Sequence, residues 1–182
     1  MWPLFGVVWA SGEILAQLMS DFDITGKRIL EVGCGIGLAS LVLNHRAADI
    51  TATDHHPEAE AFLQLNTELN DDREIPFMRT AWSDENIGLG EFDLITMIMC
   101  DFCALSPAQR AVLLEKYRSI LSEAGRVVLD VYSLSAFADK EEGSIYEKNQ
   151  LNGFWSANPY YGFVTSFKYD QEKVSLDKYT II

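Results

Sequence analysis

The sequence predicts an α/β fold, a three-layer sandwich around a mostly parallel sheet with an antiparallel hairpin at its C-terminal end. Three observations predict it. Short apolar runs alternate with stretches of helical period through residues 11–132; the first of those runs breaks into a glycine-rich turn that opens a helix; and residues 161–182 change to a period of two. Strands separated by helices pair in parallel through right-handed crossovers, and the helices then cover both faces of the sheet. In such folds the working residues gather at the carboxyl ends of the strands.

Residues 11–22 place Ile14, Leu15, Leu18 and Met19 at helical spacing behind a candidate cap, Ser11, so the chain enters through an amphipathic helix. Residues 28–32 form the first apolar strand, which runs into Gly33, and helical spacing resumes over residues 38–45. A second strand, 49–53, ends at Asp54, and Pro57 marks the start of a helix reaching Asn70. Residues 76–82 and 92–99 read as strands three and four, 107–121 as a helix capped by Ser106, and 125–132 as strand five. Residues 143–159, aromatic and irregular, read as a loop over the cleft. Beyond them 161–169 and 174–182 alternate around a turn at 170–173, the pattern of a hairpin.

The 182 residues, 48% of them hydrophobic, suffice for one domain spanning 1–182, with the loop and hairpin of 143–182 appended to its sheet. With 14 basic and 27 acidic residues the chain carries a net charge of −13, which repels phosphate backbones and anionic lipid. Neither nucleic acid nor membrane is therefore an expected partner, and neutral or cationic substrates are weakly favoured. Cys34, Cys100 and Cys103 make an odd count without a disulfide framework, which fits a reducing, cytoplasmic setting. No apolar run reaches the ~18 residues of a membrane span, and the apolar start lacks the basic flank of an export signal.

The segment Glu31-Val-Gly-Cys-Gly-Ile-Gly37 follows a strand and opens a helix. Its glycines let the backbone turn sharply and approach a ligand that a Cβ would exclude, although a tight turn without a ligand has the same composition. The spacing departs from G-x-G-x-x-G, which argues against a dinucleotide. Asp54 ends strand two, where a carboxylate either accepts hydrogen bonds from ribose hydroxyls or caps the next helix. Asp101, after strand four, suits a general base as well as a turn former. Cys100 and Cys103, with Cys34 and the pair His55 and His56, do not complete a tetrahedral set, so no metal is expected. The aromatic groups Trp2, Phe5 and Trp9, and Phe154, Trp155, Tyr160 and Tyr161, suit either core packing or the wall of a pocket.

With Glu31 two positions before Gly33, and Gly35 and Gly37 following, the loop resembles motif I of the class I S-adenosylmethionine-dependent methyltransferases. The resemblance implies a Rossmann-like fold, S-adenosylmethionine as methyl donor and S-adenosylhomocysteine as product. It implies that Glu31 and the three glycines surround the amino-acid end of the cofactor, that Asp54 meets its ribose, and that Trp9 and His55 also bind the cofactor. Trp82 would cover the adenine, a role open also to Ser83 or Asp84. Residues 92–102 resemble the strand-four motif, which puts Met99 and Cys100 beside the cofactor's reacting end, Asp101 at catalysis, and Phe102 at the substrate with Trp155.

Two branches are represented. Residues 1–95, with Trp2-Pro3 and Trp9-Ala-Ser-Gly12, resemble the protein-lysine and nicotinamide-type branch; from Thr96 onward, Cys100-Asp-Phe102, Leu105-Ser-Pro107 and Gly153-Phe-Trp-Ser156 resemble bacterial small-molecule methyltransferases. The expected activity is methyl transfer to a small-molecule or protein acceptor. The alternative is a chimeric or truncated domain that binds the cofactor without turning over. Closing strands six and seven are expected to be missing, and the open edge at the hairpin is expected to pair two copies into a homodimer.

Overall fold

The protein is described by a computed structural model covering residues 6–81 and 90–182. Two compact units divide the chain between Val131 and Tyr132. The first contains α1 (Ala10–Asp21), β1 (Arg28–Val32), α2 (Leu38–His45), β2 (Asp49–Asp54), α3 (Ala59–Leu69) and β3 (Phe77–Arg79). It continues through β4 (Phe92–Met97), α4 (Asp101–Ala104), α5 (Pro107–Ile120) and β5 (Leu121–Leu129). All five strands are parallel, in the order β3-β2-β1-β4-β5. The order reverses beside β1, so the crevice belongs above the carboxyl ends of β1 and β4.

Strand alternation makes this a three-layer sandwich. Ile29 and Leu94 send their side chains to one face, where Leu15 and Met19 of α1, Leu43 of α2 and Leu63 of α3 close over them. Leu30, Ile95 and Met97 fill the opposite face against Leu113 and Tyr117 of α5. Strands β1 and β4 are thus apolar on both faces, as a central parallel strand requires.

The elements follow the sequence reading closely, and the departures have local causes. Helix α1 starts one residue early, with Trp9 at the N-cap, so Ser11 lies inside it and caps nothing. Of its apolar residues Leu15 and Met19 are buried, whereas Ile14 and Leu18 are exposed. Helix α3 begins at Ala59 after a turn, two residues beyond Pro57. Strands β3 and β4 are shorter than expected, ending at Arg79 and Met97. Helix α5 has the expected Ser106 cap, completed into a capping box by Gln109. Strand β5 follows α5 without a connector; residues 122–125 stand opposite Asp93 alone before regular pairing resumes at Leu94 with Arg126. Gly125 makes that bulge possible, because a Cβ there would lie 3.0 Å from the carbonyl oxygens of Phe92 and Ser122.

The second unit holds α6 (Leu134–Ala138), capped by Ser133, and the strands β6 (Gly143–Lys148), β7 (Tyr161–Tyr169) and β8 (Val174–Ile181). The expected hairpin, β7 with β8, is present with its turn at 170–173. It belongs to a three-stranded antiparallel sheet, because residues 143–148, read from sequence as part of a loop, pair with β7 from Gly143 opposite Ser166 to Lys148 opposite Tyr161. Among the described residues no helix is long and apolar enough to cross a membrane.

Candidate active site

The loop between β1 and α2 is built from three left-handed glycines, Gly33, Gly35 and Gly37, at φ values of 69°, 56° and 76°. Side chains rarely adopt that conformation, which is why the positions are glycine. The loop is pinned by Cys34 N–H donating to the Thr53 carbonyl at 3.0 Å and Gly37 N–H to the Cys34 carbonyl at 2.8 Å. Cys34 packs in the core and burial pushes its thiol up, which disfavours the reactive thiolate. Gly37 also sits hard against α3: a Cβ there would lie 2.3 Å from Leu63 Cδ1.

Two carboxylates flank this loop. Glu31 is buried, and its Oε2 accepts hydrogen bonds from the backbone N–H of Ser40, at 2.9 Å, and from the Ser40 hydroxyl. Burial raises its pKa to about 7, and the charge of Asp54 adds to the rise, against the two Ser40 bonds. Asp54, also buried, accepts from Gly35 N–H at 2.9 Å through Oδ2 and from His56 N–H at 2.8 Å through Oδ1. It therefore braces the glycine loop and does not cap a helix. His55 is largely exposed, with Nδ1 3.6 Å from Asp54 Oδ1.

Above β4 the chain turns through two left-handed non-glycine residues, Met99 and Cys100, at φ 73° and 55°. Their amides both donate to one carboxylate, that of Asp130 at the end of β5, at 3.1 and 2.7 Å. The turn delivers Asp101 over the glycine loop, so that a Cβ on Gly33 would lie 3.7 Å from Asp101 Oδ2. Burial first, then the charges of Asp130 and Asp54, raise the Asp101 pKa to about 6, with His55 pulling it down. The Cys100 thiol is pushed up to about 11, chiefly by burial and then by Asp130, so the C-x-x-C pair is a poor redox centre. From the other side α1 approaches, Ser11 Oγ lying 3.9 Å from Met99 Sδ; Trp9 is the N-cap residue of that helix.

A cavity of about 600 Å³ opens beside His55, lined also by Ala81, Leu105, Gln109, Val112 and Leu113. Phe102 lies at the turn but packs onto the α5-side core, with the Arg110 guanidinium 5.9 Å from its ring centroid. Trp155 belongs to the second unit, in an edge contact with Phe154 at 4.8 Å and near Tyr179 at 5.3 Å. Trp2, Phe5, Trp82, Ser83 and Asp84 lie outside the described residues. Among the described residues no group of His, Cys, Asp and Glu could hold a metal. Asp130, Ser40 and the apolar cavity wall were not singled out by sequence.

Residues 29–125 match the methyltransferase-domain family. The chain belongs to the class I S-adenosylmethionine-dependent methyltransferases. By sequence this methyltransferase is 33% identical over 106 residues to zebrafish (Danio rerio) protein N-lysine methyltransferase METTL21A, covering 52% of the chain and 48% of that protein. The chain spans about half the length, or less, of the curated relatives it matches. Among solved structures, the CcbJ methyltransferase of Streptomyces caelestis aligns over 99% of this chain and 70% of its own, with TM-score 0.67 and 13% identity. The glycopeptide N-methyltransferase MtfA, complexed with sinefungin, aligns over 93% of this chain and 75% of its own, with TM-score 0.54 and 14% identity.

The cofactor of this family is S-adenosylmethionine, and the residues present fit it. Glycine at position 33 keeps open the space beneath Asp101; Glu31 offers a carboxylate, Asp54 hydrogen-bond acceptors and the cavity an apolar wall.

Proposed function

We propose that this methyltransferase methylates an amine, with a protein lysine side chain as the acceptor class. The observation that carries this reading is Asp101, a partly buried carboxylate held over the glycine loop among Asp54 and Asp130. An acidic mouth attracts an alkylammonium and repels anionic acceptors. With a pKa of about 6, Asp101 is ionised at neutral pH yet basic enough to take a proton from an amine whose own pKa is lowered by desolvation. The similarity to a lysine methyltransferase over about half the chain supports the same class.

In this reading Glu31 and the glycine loop hold the amino-acid end of S-adenosylmethionine and Asp54 with His55 the ribose. The cavity along α5 takes the adenine. S-adenosylmethionine supplies a sulfonium methyl that a nucleophile removes as the sulfur departs as a thioether. Asp101 orients the amine, whose lone pair forms the new C–N bond, and accepts the N–H proton. Met99 and Cys100 exclude water from the reacting line. Most of the rate comes from position and desolvation, so no covalent enzyme intermediate is required.

Saturating S-adenosylmethionine or S-adenosylhomocysteine, at ~100 times the dissociation constant, should add about 2.7 kcal/mol and raise the melting temperature by roughly 5–10 °C, whereas NAD should not. Labelled methyl should then pass to a lysine-containing peptide and not to its arginine analogue, read by mass spectrometry. Label on a hydroxyl acceptor in place of the lysine would overturn the amine reading.

A further inference from the structure

Asp130 contributes nothing to the cofactor contacts proposed above, yet it is the group on which the β4 turn depends. Met99 and Cys100 both hold left-handed backbone that non-glycine residues adopt only at a cost, and both of their N–H groups donate to the one Asp130 carboxylate, at 3.1 and 2.7 Å. The next residue is Asp101, whose Oδ2 faces Gly33 across the glycine loop. The strand that supplies Asp130 pairs directly with β4, Met97 lying opposite Leu129, so the brace reaches the turn from a rigid neighbour.

We propose that Asp130 is a positioning residue, whose bidentate hold on the Met99 and Cys100 amides fixes the left-handed turn that aims Asp101 at the sulfonium end of the cofactor site. This rests on the cofactor reading given above. The two carboxylates divide the work: one fixes backbone, the other meets charge. Asp101 also feels the field of its brace. The titratable groups acting on it are Asp130, just past β5, Asp54 at the end of β2 and His55 just past it, while Cys100 and Tyr117 are themselves shifted by it.

S-adenosylmethionine carries a positive sulfur and S-adenosylhomocysteine a neutral one, so their affinities, measured by calorimetry from pH 5 to 8, separate charge from shape. In the wild-type protein both affinities should rise as Glu31 ionises near pH 7, because both compounds carry the ammonium; S-adenosylmethionine alone should show a further step as Asp101 ionises near pH 6, and Asp101→Asn should abolish that further step. Asp130→Asn removes a charge that raises Asp101 and leaves the turn unbraced, so the further step should move to lower pH. S-adenosylmethionine binding at pH 7.5 should weaken roughly tenfold, with the thioether affected far less. Adding Cys100→Gly, which adopts left-handed backbone without strain, should restore part of the loss. That double variant also carries the test should Asp130→Asn alone fold poorly. A further step unmoved by Asp130→Asn, or an equal loss for both compounds without rescue, would overturn the inference. A wild-type protein that binds neither compound would instead overturn the cofactor reading itself.

Discussion

Glu31→Gln should make the protein more stable at pH 8 and at the same time weaken its hold on S-adenosylmethionine. The buried Glu31 carboxyl has a pKa of about 7 in the fold and an ordinary value of 4.5 outside it. Between those values the folded chain keeps a proton that the unfolded chain has lost, so stability falls as pH rises from about 4.5 to 7 and stays low above. At about 1.4 kcal/mol per tenfold change in proton affinity, ionising Glu31 costs up to about 3 kcal/mol. Glutamine keeps an acceptor for the Ser40 amide and never ionises, which predicts a melting temperature roughly 5–10 °C above wild type at pH 8 and no gain at pH 4. Asp101, also raised, steepens the wild-type slope between about pH 4 and 6. On the proposed placement of the cofactor, the variant also loses the attraction of a carboxylate for the ammonium, about 10- to 100-fold in affinity. Identical melting of the two proteins at pH 8 would show that Glu31 is not held above its ordinary range.

Gly37→Ala is expected to cost about 2–5 kcal/mol by urea unfolding. The left-handed φ of 76° alone costs an alanine about 1–2 kcal/mol, and the new methyl would stand 2.3 Å from Leu63 Cδ1. Leu63 is 1% exposed and lies within the core that α1 and α2 share, so it has no free space to turn into. The clash has a signature: Gly37→Ala and Leu63→Ala together should cost at least about 1 kcal/mol less than their separate effects summed. A single variant within about 1 kcal/mol of wild type would show that α3 yields easily, and strict additivity would remove the contact as the cause.

Residues 31–37 and Asp54 were legible in the sequence because their meaning is local. A strand, a glycine turn and a helix follow one another, and a carboxylate ends the adjacent strand. Helix α5 was legible for the same reason, with its cap, proline and apolar period all within residues 106–120. Asp130 was not, because its value depends on the register of β5 beside β4, set only when residues 122–125 bulge out. Ser40 and Leu63 face the glycine loop by virtue of helix packing that no short pattern encodes. Strand β6 was hidden because its partner, β7, begins at Tyr161, beyond an irregular stretch, and every residue of β6 is exposed, leaving no buried face to write an alternation.

The placement of acids along the sheet gives this small domain a polarity of its own. At the amino ends of the strands the acids have cationic company: Asp23 lies 2.8 Å from Lys27, Asp49 lies 3.6 Å from Arg28, and Asp93 accepts the Arg28 backbone N–H within the field of Lys27 and Arg28. At the carboxyl ends, Asp54 and Asp130 are held by backbone N–H groups, with His55 beside Asp54; Glu31 is held by Ser40, and Asp101 lies in the field of Asp54 and Asp130, so their charge is left uncancelled where they are ionised. A cation drifting within a Debye length, about 8 Å in physiological salt, is thus drawn toward the carboxyl ends of these strands before it touches anything. Encounter, and not only chemistry, is then selective, and that part of the selectivity fades as salt is added.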